Sequence, residues 1–123
     1  MDTPKLGKPM WFDLTVENAD EVSDFYAAVV GWEKQPLSMG EYDDYVMKVP
    51  KGGEGATGIC HARGSNAYIP PQWLIYVMVE NLDASIEKCK NLGGNIIGEK
   101  RKMGEQHYCL IQDPAGAYMM IYS

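Results

Sequence analysis

The 123-residue sequence has few cysteines, an excess of acidic over basic side chains and no long apolar run. Cys60, Cys89 and Cys109 are odd in number and widely spaced, so neither a disulfide framework nor a Cys-x-x-Cys metal or redox motif is available. No stretch approaches the roughly 18 consecutive apolar residues of a membrane-spanning helix, and residues 1–9 lack a signal-peptide core. We therefore predict free thiols and a cytoplasmic protein without a membrane partner.

The charge balance restricts the class of partner. Seventeen acidic and eleven basic side chains give a net charge of −6. Such a chain repels the phosphate backbone, so the composition argues against a nucleic-acid partner and permits a cationic ligand. With 46% hydrophobic residues, a chain of this length buries its own core as one ordinary domain.

One short phrase occurs twice, 63 residues apart. The segment Val16-Glu17-Asn18-Ala19-Asp20, with Gly31 after it, matches Val79-Glu80-Asn81-Leu82-Asp83, with Gly94 after it. A self-match at a constant offset indicates two copies of one supersecondary unit. The chain is therefore predicted to be a single domain built from two half-domains.

We place repeat 1 at about 8–63, a linker at 64–71 and repeat 2 at about 72–123. Each repeat reads as a strand, a helix and three further strands. In the first strand, alternation predicts that Phe12, Leu14 and Val16 form the core face. Asn18 is a candidate N-cap of the first helix and Gly31 a candidate C-cap. The strand alternation and helix caps thus predict the same βαβββ order twice.

At this level of detail the chain resembles a known family. The features that carry the resemblance are Phe25-Tyr26 before Gly31-Trp32, Gly93-Gly94 after the second helix, and Asp113-Pro114-x-Gly116 before the last strand. Together with the repeated βαβββ order, they resemble the vicinal oxygen chelate superfamily, which includes glyoxalase I, bleomycin-resistance proteins and extradiol dioxygenases. The resemblance runs from about Met10 to Tyr122. It implies an α+β fold of two βαβββ modules, curled mixed sheets around a shared groove, and a homodimer.

The resemblance also identifies where a metal ion would be held. Metal-dependent members use His or Glu side chains at four groove-facing positions, which correspond here to Trp11, Leu74, Met120 and a point near Ile59. None of these side chains offers the oxygen or imidazole donors that divalent ions require. We therefore expect no metal ion and no other cofactor.

What remains on the groove faces is typical of a small-molecule site. Alternation along the strands predicts an apolar and aromatic floor with polar groups two residues further on, as in many ligand pockets. The predicted ligand-binding residues are Trp11, Asp13, Ile59, His61, Leu74, Tyr76, Met120 and Tyr122.

Three functions are compatible with these features. The leading one is a metal-free binding protein that holds a small, partly aromatic molecule, as in sequestration of an antibiotic or a metabolite. The alternative is a superfamily enzyme, a lyase, isomerase or dioxygenase. Such an enzyme would use a divalent metal at a displaced site, or acid-base catalysis in which Asp13 orients a His61 general base. A third possibility is a protein-interaction module whose groove is filled by side chains.

Overall fold

The computed structural model describes residues Lys5–Ser123. Its contacts divide the chain into two compact units, each containing one helix and a four-stranded sheet. The first module spans Phe12–Trp73, and the second comprises Leu74–Ser123 together with the N-terminal segment through Trp11. The predicted α+β class and the repeated βαβββ order are confirmed.

In the first module, strand β4 runs parallel to β1 and the other neighbouring strands are antiparallel, in the order β2-β3-β4-β1. A short 3₁₀ turn at Gly64–Asn66 follows the last strand. The elements are β1 Pro9–Val16, α1 Ala19–Val30, β2 Glu33–Ser38, β3 Asp43–Lys48 and β4 Gly55–His61.

The second module repeats this topology with strand order β5-β8-β7-β6, in which β5 and β8 are parallel. The backbone N–H of Gly7 donates to the carbonyl of Met78 at 2.9 Å, which ties the N-terminal segment to the end of β5. The elements are β5 Trp73–Met78, α2 Leu82–Asn91, β6 Asn95–Met103, β7 Gln106–Gln112 and β8 Tyr118–Tyr122.

Both helices end where the sequence predicts. Gly31 adopts a left-handed conformation, with φ of 86°, that stops α1. The side chain of Asn81 accepts a hydrogen bond from the backbone of Ala84 at 3.0 Å and caps α2. Asn18 makes no such cap, because its amide instead donates to Glu21 at 3.1 Å. In the described chain from Lys5 onward, neither helix is long and apolar enough to cross a membrane.

The first core lies between α1 and its sheet. Five buried residues form it: Leu14, Ala19, Tyr45, Met47 and Ile59. The prediction that Phe12 belongs to this core is wrong, since 45% of that residue is exposed. Alternation gives the side on which a residue lies, but a strand's first residues can extend beyond the helix that covers the sheet.

The second core is smaller. Leu82, Cys109 and Ile121 are its buried members, and five only partly buried apolar residues pack around them. All three cysteines are free, with Cys109 buried and the other two half-buried. The helix-side surface of the second module is therefore less completely covered than that of the first.

Candidate functional site

Strand register determines which side chains of the second module share a face. Tyr76 pairs with Met120, and Met78 with Tyr122, whereas the neighbouring Ile121 belongs to the core beneath α2. Because successive residues of a strand point to opposite faces, Leu74, Tyr76, Met120 and Tyr122 lie on the face away from α2. Alternation in the sequence places them on the same face.

Three tyrosines form a continuous aromatic array on this face. The rings of Tyr76 and Tyr108 meet edge to face, with centroids 5.9 Å apart. The rings of Tyr108 and Tyr122 are stacked at 5.2 Å, with an angle of 22° between their planes. We call Tyr76, Tyr108 and Tyr122 the tyrosine face. The polar group next to it is Gln106, which accepts a hydrogen bond from the Tyr108 hydroxyl at 3.2 Å.

Burial differs across this face. Leu74, Met120 and Tyr122 are 0%, 4% and 6% exposed, whereas Tyr76 and Tyr108 are half-buried. A ligand in contact with the tyrosine face would therefore meet Tyr76 and Tyr108 first. The more buried side chains make the surrounding surface apolar.

Sequence reasoning missed two members of this surface, Tyr108 and Arg101. These residues are register partners in β7 and β6, so their side chains share a face. Tyr108 alternates with the buried Cys109 and could have been placed from that pattern alone. Arg101 could not, because the pairing of β6 shifts register between Ile97 and Arg101, at a point where Gly98 has a φ of 70°.

In the first module the predicted face is wrong for Ile59. This residue pairs with Leu14, is fully buried and belongs to the core under α1. The residue level with Asp13 is Gly58, as Met120 is level with Tyr76. The offset between modules is thus 63 residues in the first strand but 62 in the last. A slip of one residue moves a side chain to the opposite face of the sheet.

The same slip removes the predicted catalytic pair. His61 is level with Val16, three residues along β1 from Asp13, which corresponds to about 10 Å of strand. His61 shares the α1 side with Ile59, whereas Asp13 lies on the other side. The prediction that Asp13 orients a His61 general base is therefore wrong.

His61 instead joins three elements of the first module. Its Nε2 lies 3.6 Å from Oδ1 of Asp20 in α1, and its Nδ1 lies 3.4 Å from Oδ1 of Asp44 in β3. That Asp44 oxygen accepts the backbone N–H of His61 at 2.8 Å and is not aligned with Nδ1, which has no hydrogen-bond partner. The ring of Tyr42 packs edge-on against the imidazole at 5.3 Å. These contacts attach the end of β4 to α1 and β3.

Beside this histidine, the Tyr45 hydroxyl donates a hydrogen bond to Asp20 Oδ1. That hydrogen bond, together with burial and the negative charge of Asp20, raises the pKa of Tyr45 to about 12. The ammonium of Lys34 lies 4.2 Å from the centre of the Tyr45 ring. The phenol therefore stays protonated and serves as a hydrogen-bond donor between β3 and α1.

Cys60 lies on the same side of the first sheet as Asp13. Burial raises the pKa of its thiol far above the ordinary value, and the charges of Asp13 and Asp44 raise it further. Because a thiolate, rather than a thiol, is the nucleophile, Cys60 is chemically inert at neutral pH. It does not supply nucleophilic catalysis on this side of the sheet.

The side chains at the family's metal positions do not fit a divalent ion. With Gly58 replacing Ile59, the four positions are Trp11, Gly58, Leu74 and Met120, none of which offers an oxygen or imidazole donor. From Lys5 to Ser123, no group of three or more His, Cys, Asp or Glu residues is arranged to hold a metal ion. We therefore assign no chemistry on this face to a metal.

Comparison with known families agrees with the fold. The sequence profile of the glyoxalase/bleomycin resistance protein/dioxygenase superfamily matches residues 8–121. The chain belongs to this superfamily, which confirms the predicted vicinal oxygen chelate relationship. It is 27% identical over 118 residues to the Mycobacterium bovis protein CFP32, provisionally named a glyoxylase. The match covers 95% of this chain but 44% of CFP32, so the chain spans less than half of that relative.

Solved structures share the architecture at low sequence identity. Methylmalonyl-CoA epimerase from Mycobacterium tuberculosis superposes with a TM-score of 0.56 and 13% identity, over 99% of this chain and 91% of that one. Glyoxalase I from Zea mays gives a TM-score of 0.59 and 13% identity, over 93% of this chain and 42% of that one. At these identities the likeness establishes the fold alone.

Proposed function

We propose that this protein binds a small, partly aromatic molecule on the tyrosine face without a metal ion, and thereby sequesters an antibiotic or a metabolite. The supporting observation is the ring array of Tyr76, Tyr108 and Tyr122, with centroid spacings of 5.9 and 5.2 Å. Rings at such spacings present both faces and edges to a flat ligand. The apolar Leu74 and Met120 nearby would favour a ligand with little charge on its ring.

The absence of metal donors at the four family positions supports binding without metal-assisted chemistry. In metal-dependent enzymes the ion polarises a substrate oxygen or activates water, and the side chains at these positions hold no such ion. Asp13 and His61 lie on opposite sides of the sheet, so they supply no acid-base pair in its place. We further propose that two copies of the chain form a homodimer, which analytical ultracentrifugation would test.

Binding can be tested with naphthol and naphthoate as flat aromatic probes, detected by saturation-transfer NMR and quantified by calorimetry. Tyr108→Ala should weaken probe binding by about three- to tenfold, because a ring–ring contact is worth about 0.5–1.5 kcal/mol. Tyr108→Phe keeps the ring and should retain most of the affinity. Tyr42→Ala is the matched control, since Tyr42 packs against His61 in the other module.

Three results would contradict the proposal. Equal affinities for wild type and Tyr108→Ala would show that the tyrosine face is not the site. Chemical conversion of the bound ligand would exclude a purely sequestering role. Stoichiometric metal in untagged protein, with probe binding abolished by a chelator, would contradict binding without a metal.

A further inference from the structure

A second cavity lies on the opposite side of the second sheet from the tyrosine face. It has a volume of about 360 Å³ and runs between α2 and the ends of β5, β7 and β8. We call it the α2 cavity. Its apolar walls include Val79, Leu92, Ile111, Pro114 and Ile121. Pockets of this volume are the size that small ligands occupy.

The cavity exists because the second core is small and one of its walls lacks a side chain. Gly94 lines the cavity directly. A Cβ built on Gly94 would lie 2.6 Å from Cys89 Sγ and 2.9 Å from the Gln112 carbonyl oxygen, so only glycine lets this turn pack so closely against α2. Val79 and Ile111 pack against the core but are only partly buried. Apolar surface therefore remains uncovered at this point.

One positive charge stands at the edge of this apolar surface. Lys88 lines the cavity and is exposed, and from Lys5 onward it forms no ion pair. Its neighbour Lys90, by contrast, lies 3.6 Å from Glu87. The carboxylate of Asp113 also lines the cavity but already accepts the backbone N–H groups of Ala115 and Ala117, at 2.8 and 3.1 Å. The available charge at the rim is therefore an ammonium.

We propose that the α2 cavity binds an aliphatic monocarboxylate, with its chain against Val79, Ile111 and Ile121 and its carboxylate at Lys88. A volume of 360 Å³ corresponds to about a dozen water-sized groups, which matches a chain of the length of octanoate. Burial of each methylene group raises affinity by about fourfold. This site is separate from the proposed function of the tyrosine face and does not depend on it.

Octanoate, octanamide and octylammonium form a matched series that differs in head-group charge. In spectra of methyl-labelled isoleucine, octanoate should shift the methyl signals of Ile111 and Ile121 and leave Ile59, in the other module, unchanged. Octanoate should bind more tightly than octanamide by about fivefold, the upper range for an exposed ion pair. Hexanoate, two methylene groups shorter, should bind about 15-fold more weakly than octanoate.

Matched variants identify the head-group contact. Lys88→Met retains the apolar stem and should weaken octanoate binding by about fivefold without changing octanamide binding. Lys90→Met, one turn-facing position away, should leave both affinities unchanged, and Tyr108→Ala should leave octanoate binding intact. Equal affinities for octanoate and octanamide, equal losses in the two lysine variants, or methyl shifts as large at Ile59 as at Ile111 would each overturn the proposal.

Discussion

The hydroxyl of Tyr45 allows a quantitative test of the network that joins β3 to α1. Tyr45 is 7% exposed, and its hydroxyl donates to Oδ1 of Asp20, whose side chain is 72% exposed. Tyr45→Phe removes this donor and leaves the ring in place. The Asp20 carboxylate then regains water, so we expect a loss of about 1 kcal/mol in the free energy of unfolding at neutral pH.

The larger effect is a change in pH dependence. The pKa of Tyr45 rises from 10.0 to about 12 in the folded protein. Between these values the unfolded chain loses the phenolic proton while the folded chain keeps it, so deprotonation favours unfolding and stability falls as pH rises. The stabilisation is fully present below pH 10 and is lost as pH approaches 12. At about 1.4 kcal/mol per pKa unit the limit is about 2.7 kcal/mol. Because Asp20 is exposed, screening should reduce this to about 1 kcal/mol.

Urea unfolding of wild type and Tyr45→Phe, at a series of pH values up to about 12, measures this difference. Lysines titrate in the same range, so the informative quantity is the wild-type free energy of unfolding minus that of the variant. This difference should shrink as pH rises. The absorbance of tyrosinate, compared between the two proteins, should identify one residue that ionises near 12. A pH-independent difference, or a Tyr45 that ionises with the solvent-exposed tyrosines, would refute the assigned hydrogen bond.

Three further outcomes follow from the packing. Gly94→Ala should lower the free energy of unfolding by about 1–3 kcal/mol, because its methyl group would meet two backbone carbonyls and the Cys89 thiol. Gly104→Ala, in open space with a φ of 62°, should cost about 1–2 kcal/mol from backbone strain alone, and an equal or larger loss there would contradict the steric argument. Leu110→Ala, at a fully buried position, should cost about 2–5 kcal/mol in urea unfolding; a loss below this range would mean that the site collapses or is hydrated. His61→Gln should leave the affinity for naphthol unchanged, since His61 faces α1, and a loss of binding without unfolding would place it at the ligand site.

Local patterns predicted the fold well because the two modules repeat the same local constraints. The left-handed Gly31 and the capping Asn81 act within a few residues of sequence, and both function as their positions indicate. In the last hairpin, Asp113 accepts backbone N–H groups and Gly116 has a φ of 94°, as the Asp-Pro-x-Gly turn predicts. Such features depend on neighbouring residues and need no tertiary information.

The candidate site was predicted less completely, for a geometric reason. The repeat fixes an offset of 63 residues at the start of each module, but the loops between strands differ in length. By the last strand the offset is 62, and Ile59 and His61 consequently lie on the α1 side. In the second module, Leu74, Tyr76, Met120 and Tyr122 share the expected face. Arg101 was missed because the register shift in β6 breaks the simple alternation.

The sequence by itself determined the absence of metal donors at Trp11, Leu74 and Met120, the duplicated βαβββ order and the family. These properties follow from residue identity and short-range pattern, which are unchanged by folding. Only the tertiary structure decided that Gly58 is level with Asp13, that His61 lies between Asp20 and Asp44, and that Tyr108 joins two tyrosines from other strands. Strand register sets these contacts, and a single residue of loop length reverses the face of every side chain in a strand.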